Sequence, residues 1–169
     1  MFDLIIIGGG PAGVAGGVYA SRKQLKTLFV TKEWGGQSIV SPAIQNWIGT
    51  ASIPGDKLAK DLEEHLRTYS NDVVQIKDNT LVTNITKNDS EFVVTFDNGE
   101  SATARAILIA SGSKRRRLAV DGADDYEHKG LTYCATCDGP VFAGQDVVVI
   151  GGGNAGFETA AQLLSLIHI

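Results

Sequence analysis

The chain has 169 residues, 43% of them hydrophobic and 20% charged, which is typical of globular proteins and not of disordered or fibrous ones. Its net charge of -4 gives no general reason to expect nucleic acid or an anionic membrane as a partner. No apolar stretch approaches the roughly 20 residues of a spanning helix, so the sequence predicts no membrane segment and a cytoplasmic location.

The chain opens with the pattern of a strand, a glycine-rich turn, a helix and a second strand. The apolar runs Leu4–Ile7 and Thr27–Val30 flank the turn and a stretch of small residues. In this context glycines permit a tight turn, close approach of a pyrophosphate to backbone N–H groups, and close helix packing. The pattern predicts a dinucleotide site, with a purely structural turn as the alternative; its residues are Gly8, Gly10, Pro11, Ala12 and Gly13.

An acidic residue is expected at the end of the second strand, where it would bond a ribose hydroxyl. Thr31 occupies that place, and Glu33 lies two residues further on. We expect Glu33 to reach the ribose from the loop or, alternatively, to face solvent. The segment from Glu33 to Gly55 has no clear period and is predicted to be a long ordered loop.

A helix and a small antiparallel sheet are predicted next. Leucines recur every four residues over Asp56–Tyr69, so this segment should be an amphipathic helix with His65 on or near its surface. The alternation of apolar and polar residues, together with the turn signal Asp97-Asn98-Gly99, predicts an antiparallel meander. A separate buried strand is predicted to follow it. The four strands are Leu81–Ile85, Phe92–Phe96, Ser101–Ala104 and Ala106–Ala110.

A domain boundary is predicted near Ser113, because Lys114–Lys129 is charged and poor in apolar residues. The basic run Lys114–Arg117 could guide an acidic partner or touch a nucleotide phosphate, but a solvated linker face is the favoured interpretation.

The opening pattern is repeated after the boundary. Val147–Ile150 is predicted to be a strand that leads into a second glycine fingerprint and a helix from Ala155 to about Leu164. Two dinucleotide sites suggest one tightly held flavin and one exchangeable nicotinamide, because electrons need a donor and a relay. The second site comprises Gly151, Gly153, Asn154 and Gly156.

The final residues Leu164–Ile169 can be encoded by a transposon end sequence that is used as a sequencing adapter. We expect this segment to be a foreign tail and the chain to stop before either domain is complete.

The chain's two cysteines form the motif Cys134-x-x-Cys137. One pair cannot complete the four-ligand shell of a structural zinc, and no metal site is expected. A catalytic dithiol is the leading interpretation, in which one thiolate attacks a disulfide and the other resolves the mixed disulfide. Asp138 is adjacent and could give a proton to the departing thiolate, or it could be a cap or turn residue.

These residues resemble the low-molecular-weight thioredoxin reductases and the similar flavoprotein reductases of bacterial alkyl hydroperoxide systems, from Met1 to Leu163. The most specific segments are Cys134–Gly139 and Gly151–Asn154; three others are Gly35-Gly36-Gln37, Gln45-Asn46-Trp47 and Ile109-Ala110-Ser111-Gly112. The resemblance implies an α/β, three-layer Rossmann-like fold with a β-meander. It divides the chain into an FAD-binding part (1–113), the start of an NAD(P)H-binding domain (114–163) and the tail (164–169).

The resemblance also implies roles for individual residues. Cys137 would face the flavin, Cys134 would exchange with the partner, and Asp138 would be the acid. FAD would lie against the first fingerprint and the flavin-side residues, which are Glu33, Gly35, Gly36, Gln37, Asn46 and Gly112. NADPH or NADH would bind the second fingerprint, thioredoxin or a similar small dithiol protein would be the partner, and the whole protein would be a homodimer.

Two alternatives stay open. A peroxiredoxin-system reductase is slightly favoured by the segments Gly130-Leu131-Thr132-Tyr133 and Gly139-Pro140-Val141-Phe142. Such enzymes commonly carry an N-terminal extension, however, and Met1 directly before the first strand therefore favours thioredoxin reductase. A non-catalytic FAD-binding redox sensor would form the disulfide without steady consumption of cofactor.

Overall fold

The computed structural model describes residues 1–70, 72–113, 116–127 and 129–166, without the side chains of Cys137, Ser165 and Leu166. The chain divides into two compact units, Met1–Lys114 and Arg115–Ile169. The division lies beside the predicted boundary; assigning the units to two cofactor domains, and the last six residues to a foreign tail, stays a prediction. Within that tail, residues 167–169 lie outside the described residues.

The first unit is an α/β structure built on one six-stranded sheet with the order β3-β2-β1-β6-β5-β4. Strands β3, β2, β1 and β6 are parallel, whereas β6, β5 and β4 form the predicted antiparallel meander. The elements are β1 Phe2–Gly9, α1 Pro11–Arg22, β2 Thr27–Trp34, a 3-10 helix Gly36–Val40, α2 Gly55–Ser70, β3 Val74–Lys77, β4 Val82–Lys87, β5 Phe92–Phe96 and β6 Ser101–Ile109.

Strand β6 belongs to both halves of the sheet. Its residues Ser101–Ala104 pair with β5, and Ala104–Ile109 pair with β1. The prediction of two separate strands was wrong because no turn residue interrupts the extended backbone between them. The prediction that Ala106–Ala110 is buried was also wrong: none of its residues is fully buried, and Leu108 and Ile109 are 38% and 64% exposed.

Strand β3 and the interior of the segment from 33 to 55 were not predicted correctly. With only four residues, β3 offers too short an alternation to be recognised, and its parallel pairing with β2 defines it. The segment predicted to be a loop contains the end of β2, the 3-10 helix and an antiparallel bridge between Ile44 and Ile53.

The core of the first unit lies on both faces of the sheet, because successive strand residues point to opposite sides. On one face, Ile6 and Phe29 pack in a cluster with Leu66 of α2. A Cβ atom added at Gly17 of α1 would lie only 2.8 Å from Leu66 Cδ1, so this glycine allows the two helices to approach closely. The cluster on the other face joins the parallel strands to the meander and contains Ile5, Leu28, Val30, Val94, Phe96 and Ala104.

The second unit contains short helices and one longer helix. These are α3 Ala123–Tyr126, α4 Ala135–Asp138, a 3-10 helix Gly139–Phe142, and α5 Asn154–Leu166, which confirms the predicted helix. The predicted strand Val147–Ile150 is wrong: this extended segment pairs with no strand of the described part of the unit, and Val148 is 84% exposed. A strand requires a hydrogen-bonded neighbour, which the apolar pattern alone does not provide.

Part of the predicted linker is structured. Arg117 forms ion pairs with Asp124 (3.3 Å) and Glu127 (3.5 Å) around helix α3. Lys114 and Arg115 of the basic run lie outside the described residues. Within the described ranges, every helix is too short or too polar to cross a bilayer.

Candidate active site

The first glycine fingerprint forms a tight loop between β1 and α1. Gly8 has a φ angle of 119°, and a side chain there would overlap the carbonyl of Ala110; one at Gly13 would overlap the carbonyl oxygen of Gly8. At Gly10, by contrast, an added Cβ would meet no atom within 4 Å. The loop is therefore closely packed against the sheet and open on its outer side.

The amino end of α1 supplies the donors that an anion needs. Pro11 is the first helical residue, and the N–H of Val14 donates to the carbonyl oxygen of Gly10 at 3.0 Å. The N–H groups of Ala12 and Gly13 precede this first intrahelical bond and have no intrahelical acceptor. Together with the open side of Gly10, they fit the pyrophosphate of a dinucleotide.

The end of β2 differs from the expectation. The strand continues to Trp34, so Glu33 is a strand residue and not a loop residue. The Thr31 hydroxyl is buried and donates to the Glu33 carbonyl oxygen at 2.5 Å, while the Glu33 side chain is exposed. Thr31 therefore stabilises the end of the strand and leaves the carboxylate of Glu33 accessible for a ribose.

The turn after β2 is attached directly to the fingerprint loop. The N–H of Gly35 donates to the carbonyl oxygen of Gly9 at 2.9 Å, and an added Cβ at Gly36 would lie 3.6 Å from Gly10 Cα. The Gln37 amide donates to the Ser113 carbonyl oxygen, and its nitrogen lies 3.1 Å from the Ser113 hydroxyl.

Three predicted segments therefore meet at the carboxyl ends of β1, β2 and β6. They are the first fingerprint, the end of β2 with the following turn (Glu33–Gln37), and Gly112 with its neighbour Ser113. Asn46 lies on an exposed loop closed by the bridge between Ile44 and Ile53. Among the described residues, no hydrogen bond connects Asn46 to these segments.

A cavity beside this edge was missed by the sequence analysis. The Trp34 indole donates to Asp78 at 3.0 Å, and the Arg67 guanidinium contacts the same carboxylate at 2.6 Å. The hydrogen bond from Arg67 to Asp78 is the main reason that the pKa of Arg67 is raised above its usual value. The residues come from β2, α2 and the turn after β3, so no local spacing indicates them. They line a cavity of about 370 Å³, formed by Lys32, Glu33, Trp34, Glu63, Arg67, Asp78 and Asn79.

The cysteine motif of the second unit lies at the start of α4. Cys134 is half-buried and held in a disulfide. The backbone N–H of Asp138 donates to the Cys134 carbonyl oxygen at 3.0 Å. The side chain of Cys137 lies outside the described residues.

Thr132, which the sequence analysis did not assign to the site, joins Cys134 and Asp138. The hydroxyl of Thr132 donates to the Asp138 carboxylate, and the Cys134 N–H donates to the same hydroxyl oxygen at 3.3 Å. A single threonine before a cysteine pair forms no recognisable sequence motif, so only the structure shows this contact.

The second fingerprint repeats the local geometry of the first, even without the preceding strand. A side chain at Gly156 would overlap the carbonyl oxygen of Gly151, and the position at Gly153 is open within 4 Å. Asn154 begins α5. Helix α4 contacts α5 through the Thr136 hydroxyl, which donates to the Gln162 side chain at 3.2 Å.

An α/β sheet with a glycine loop at its carboxyl edge, a second such loop and a cysteine pair together define a class of dinucleotide-dependent disulfide oxidoreductases. The family model described as "Pyridine nucleotide-disulphide oxidoreductase" matches residues 2–168, and the chain belongs to this family.

Particular relatives fall into two groups. The chain is 38% identical over 166 residues to the F component of alkyl hydroperoxide reductase from Pseudomonas aeruginosa, covering 98% of this chain and 32% of that protein. It is also 36% identical over 167 residues to a protein named NADH dehydrogenase from Bacillus subtilis, covering 99% of this chain and 32% of that protein.

Solved structures of thioredoxin reductases share the fold. The enzyme from Streptococcus pyogenes has a TM-score of 0.84 at 34% identity, covering 99% of this chain and 53% of that one. The enzyme from Giardia duodenalis has a TM-score of 0.86 at 30% identity, and the match covers 98% of this chain and 53% of that one. The chain thus spans about a third of the curated relatives and about half of these solved chains.

Proposed function

We propose that the protein is an FAD-dependent NAD(P)H:disulfide oxidoreductase, most specifically a thioredoxin-disulfide reductase. Electrons would pass from NAD(P)H through FAD to the Cys134/Cys137 pair and on to a protein disulfide. The observation that carries this proposal is the placement of Cys134, in a disulfide, beside a helix that contacts the helix of the second fingerprint.

The residues of the first unit fit a flavin dinucleotide. The open side of Gly10 and the first amides of α1 would hold the pyrophosphate, and the exposed Glu33 carboxylate would bond the ribose. Gln37, Gly112 and Asn46 would lie on the flavin side. When bound, FAD would supply a two-electron relay between the nicotinamide and the disulfide.

In the second unit, Gly151, Gly153, Asn154 and Gly156 would hold the nicotinamide cofactor. The open position at Gly153 and the start of α5 repeat the arrangement that favours a phosphate at the first fingerprint.

The cysteine pair would act by thiol–disulfide exchange. The Cys134 thiolate attacks one sulfur of the partner disulfide, forms a mixed disulfide and releases the other partner sulfur as a thiolate. The Cys137 thiolate then attacks Cys134, restores the intramolecular disulfide and releases the second partner sulfur. Two electrons and two protons pass to the partner, and Asp138 would give a proton to the departing sulfur.

A reductase of an alkyl hydroperoxide system is the second candidate, because the F component of such a system is among the relatives with the same coverage of this chain. The partner in either case would be a small dithiol protein, thioredoxin in the first, and we propose a homodimer as the assembly. A redox sensor would share the cysteine chemistry but would not consume cofactor steadily.

The test uses the natural gene product that contains this chain. Bound flavin is measured by absorbance, and NADPH or NADH consumption is followed with thioredoxin or a peroxiredoxin as the acceptor. Cys134→Ser and Cys137→Ser should each abolish acceptor-dependent consumption and leave flavin binding unchanged.

The preferred acceptor would separate the two candidates. Oxidation of the cysteines without steady cofactor consumption would instead identify a sensor. A flavoprotein that consumes cofactor equally well without the cysteines would contradict the disulfide reductase proposal.

A further inference from the structure

Three hydrogen bonds tie the proposed acid to the backbone of Cys134. The Asp138 N–H donates to the Cys134 carbonyl oxygen, the Cys134 N–H donates to the Thr132 hydroxyl, and that hydroxyl donates to the Asp138 carboxylate. The three residues are half-buried in the second unit. The ring spans the seven residues from Thr132 to Asp138, and it joins the residue before α4 to the last residue of that helix.

The direction of the bonds determines where the hydroxyl proton points. The Thr132 oxygen accepts the Cys134 N–H, and a hydroxyl has a single proton to donate. That proton is therefore directed to Oδ2 of Asp138. Because Oδ2 is already engaged, Oδ1 is the oxygen left to carry an exchangeable proton.

A proton donor must lie within hydrogen-bond reach of the departing sulfur, so the orientation of its side chain limits the rate. Asp138 is followed by Gly139 and Pro140, and proline has no N–H that could hold the carboxylate from its other side. Among the side chains that the structure describes, Thr132 is the one bonded to it.

We propose that Thr132 is a positioning residue, which holds the carboxyl group of Asp138 beside the redox cysteines so that Oδ1 can exchange a proton with a departing sulfur. This inference rests on the proposed disulfide reductase function. As the S–S bond breaks, the departing sulfur keeps the bonding electron pair and takes the proton of Oδ1. The carboxylate then regains a proton from the cysteine thiol that becomes the next nucleophile, so protons and electrons balance.

The test compares Thr132→Val, which keeps the shape and removes the hydroxyl, with Thr132→Ser, which keeps the hydroxyl. Two activities are measured in the holoenzyme: NAD(P)H consumption with thioredoxin, and cysteine-independent consumption with ferricyanide. Thr132→Val should lower the thioredoxin kcat about tenfold, since the hydrogen bond that orients the carboxyl group is lost. Ferricyanide turnover should not change, and Thr132→Ser should restore the thioredoxin rate.

A double substitution shows whether Thr132 acts through Asp138. In the Asp138→Asn background, Thr132→Val should cause no further loss, because the group that it positions is already gone. The control is Thr83→Val on exposed β4, which removes a hydroxyl that donates to the Thr95 carbonyl oxygen and should leave both activities unchanged. Thr132→Ala serves as a second hydroxyl-free variant if valine disturbs folding.

Three results would overturn the inference. One is a wild-type thioredoxin rate in the hydroxyl-free variants. Another is that Thr132→Val lowers the thioredoxin kcat by the same factor in the Asp138→Asn background as in the wild type, which would mean that Thr132 acts independently of Asp138. The third is a wild-type protein whose turnover needs no cysteines; it removes the proposed function as well, and the Cys134→Ser control distinguishes it from the first two.

Discussion

Gly10→Ala should separate cofactor binding from folding at the first fingerprint. Gly10 has φ -80° and ψ 179°, values that alanine adopts freely, and an added Cβ would meet no atom of the protein within 4 Å. The methyl group would instead occupy the space that we assign to the pyrophosphate. The substitution should therefore leave the fold intact and weaken flavin binding.

The expected magnitudes follow from this geometry. Replacing glycine stiffens the unfolded chain, which stabilises the protein by about 0.4–1 kcal/mol. Alanine is a poorer residue than glycine before a helix, at a cost of about 1 kcal/mol. The two effects nearly cancel, so the free energy of unfolding should stay within about 1 kcal/mol of the wild type. Loss of one backbone hydrogen bond to a charged phosphate should weaken FAD binding about tenfold or more.

Gly13→Ala provides the contrast. Its Cβ would overlap the backbone carbonyl oxygen of Gly8, which cannot rotate away as a side chain can. This variant should lose about 1–3 kcal/mol of stability as well as flavin affinity. Both variants are assayed as apoprotein by urea unfolding and by titration with FAD, following flavin fluorescence. A Gly10→Ala protein that binds FAD as tightly as the wild type would refute the placement of the pyrophosphate.

Three further predictions concern the first unit. Leu66→Ala should lower the free energy of unfolding by about 2–5 kcal/mol, because Leu66 is fully buried; a urea midpoint near that of the wild type would contradict this. Lys77→Met should raise the lowered pKa of Glu100 toward its usual value, because the Lys77 hydrogen bond is the main cause of the shift, and a carboxylate NMR titration measures it. In the wild type the Glu100 contribution to stability is present above its unfolded pKa and disappears as pH falls through its lowered folded pKa. The variant should show a weaker pH dependence, because the hydrogen bond with Asn98 that also lowers this pKa remains. Trp34→Phe should cost about 1 kcal/mol, measured by urea unfolding, because it loses the bond to Asp78; an unchanged stability would show that this bond contributes nothing.

Local patterns were enough to predict much of the first unit. The glycine fingerprint, α1, α2 and the meander depend on spacings within a few residues: glycines where a side chain would overlap backbone, leucines every four residues, and alternation around a turn. The cysteine motif and the second fingerprint are visible for the same reason. Their chemistry and the α/β class could therefore be proposed from the order of residues alone.

Strand pairing and side-chain contacts could be determined only from the tertiary structure. The continuity of β6, the existence of β3 and the absence of a strand at Val147–Ile150 within the described part of the chain each depend on which extended segment finds a hydrogen-bonded neighbour. The position of Glu33 within β2 follows from pairing of Trp34 with Gly9.

The site shows the same division between sequence and structure. Sequence alone determined the residue types and local turns that could hold two dinucleotides and a redox disulfide. Tertiary structure decided that Gln37 reaches Ser113 and that Arg67 and Trp34 share Asp78. It also decided that Thr132 bonds to Asp138. Such contacts depend on the direction of each side chain in three dimensions, whereas a sequence pattern records only the distance along the chain.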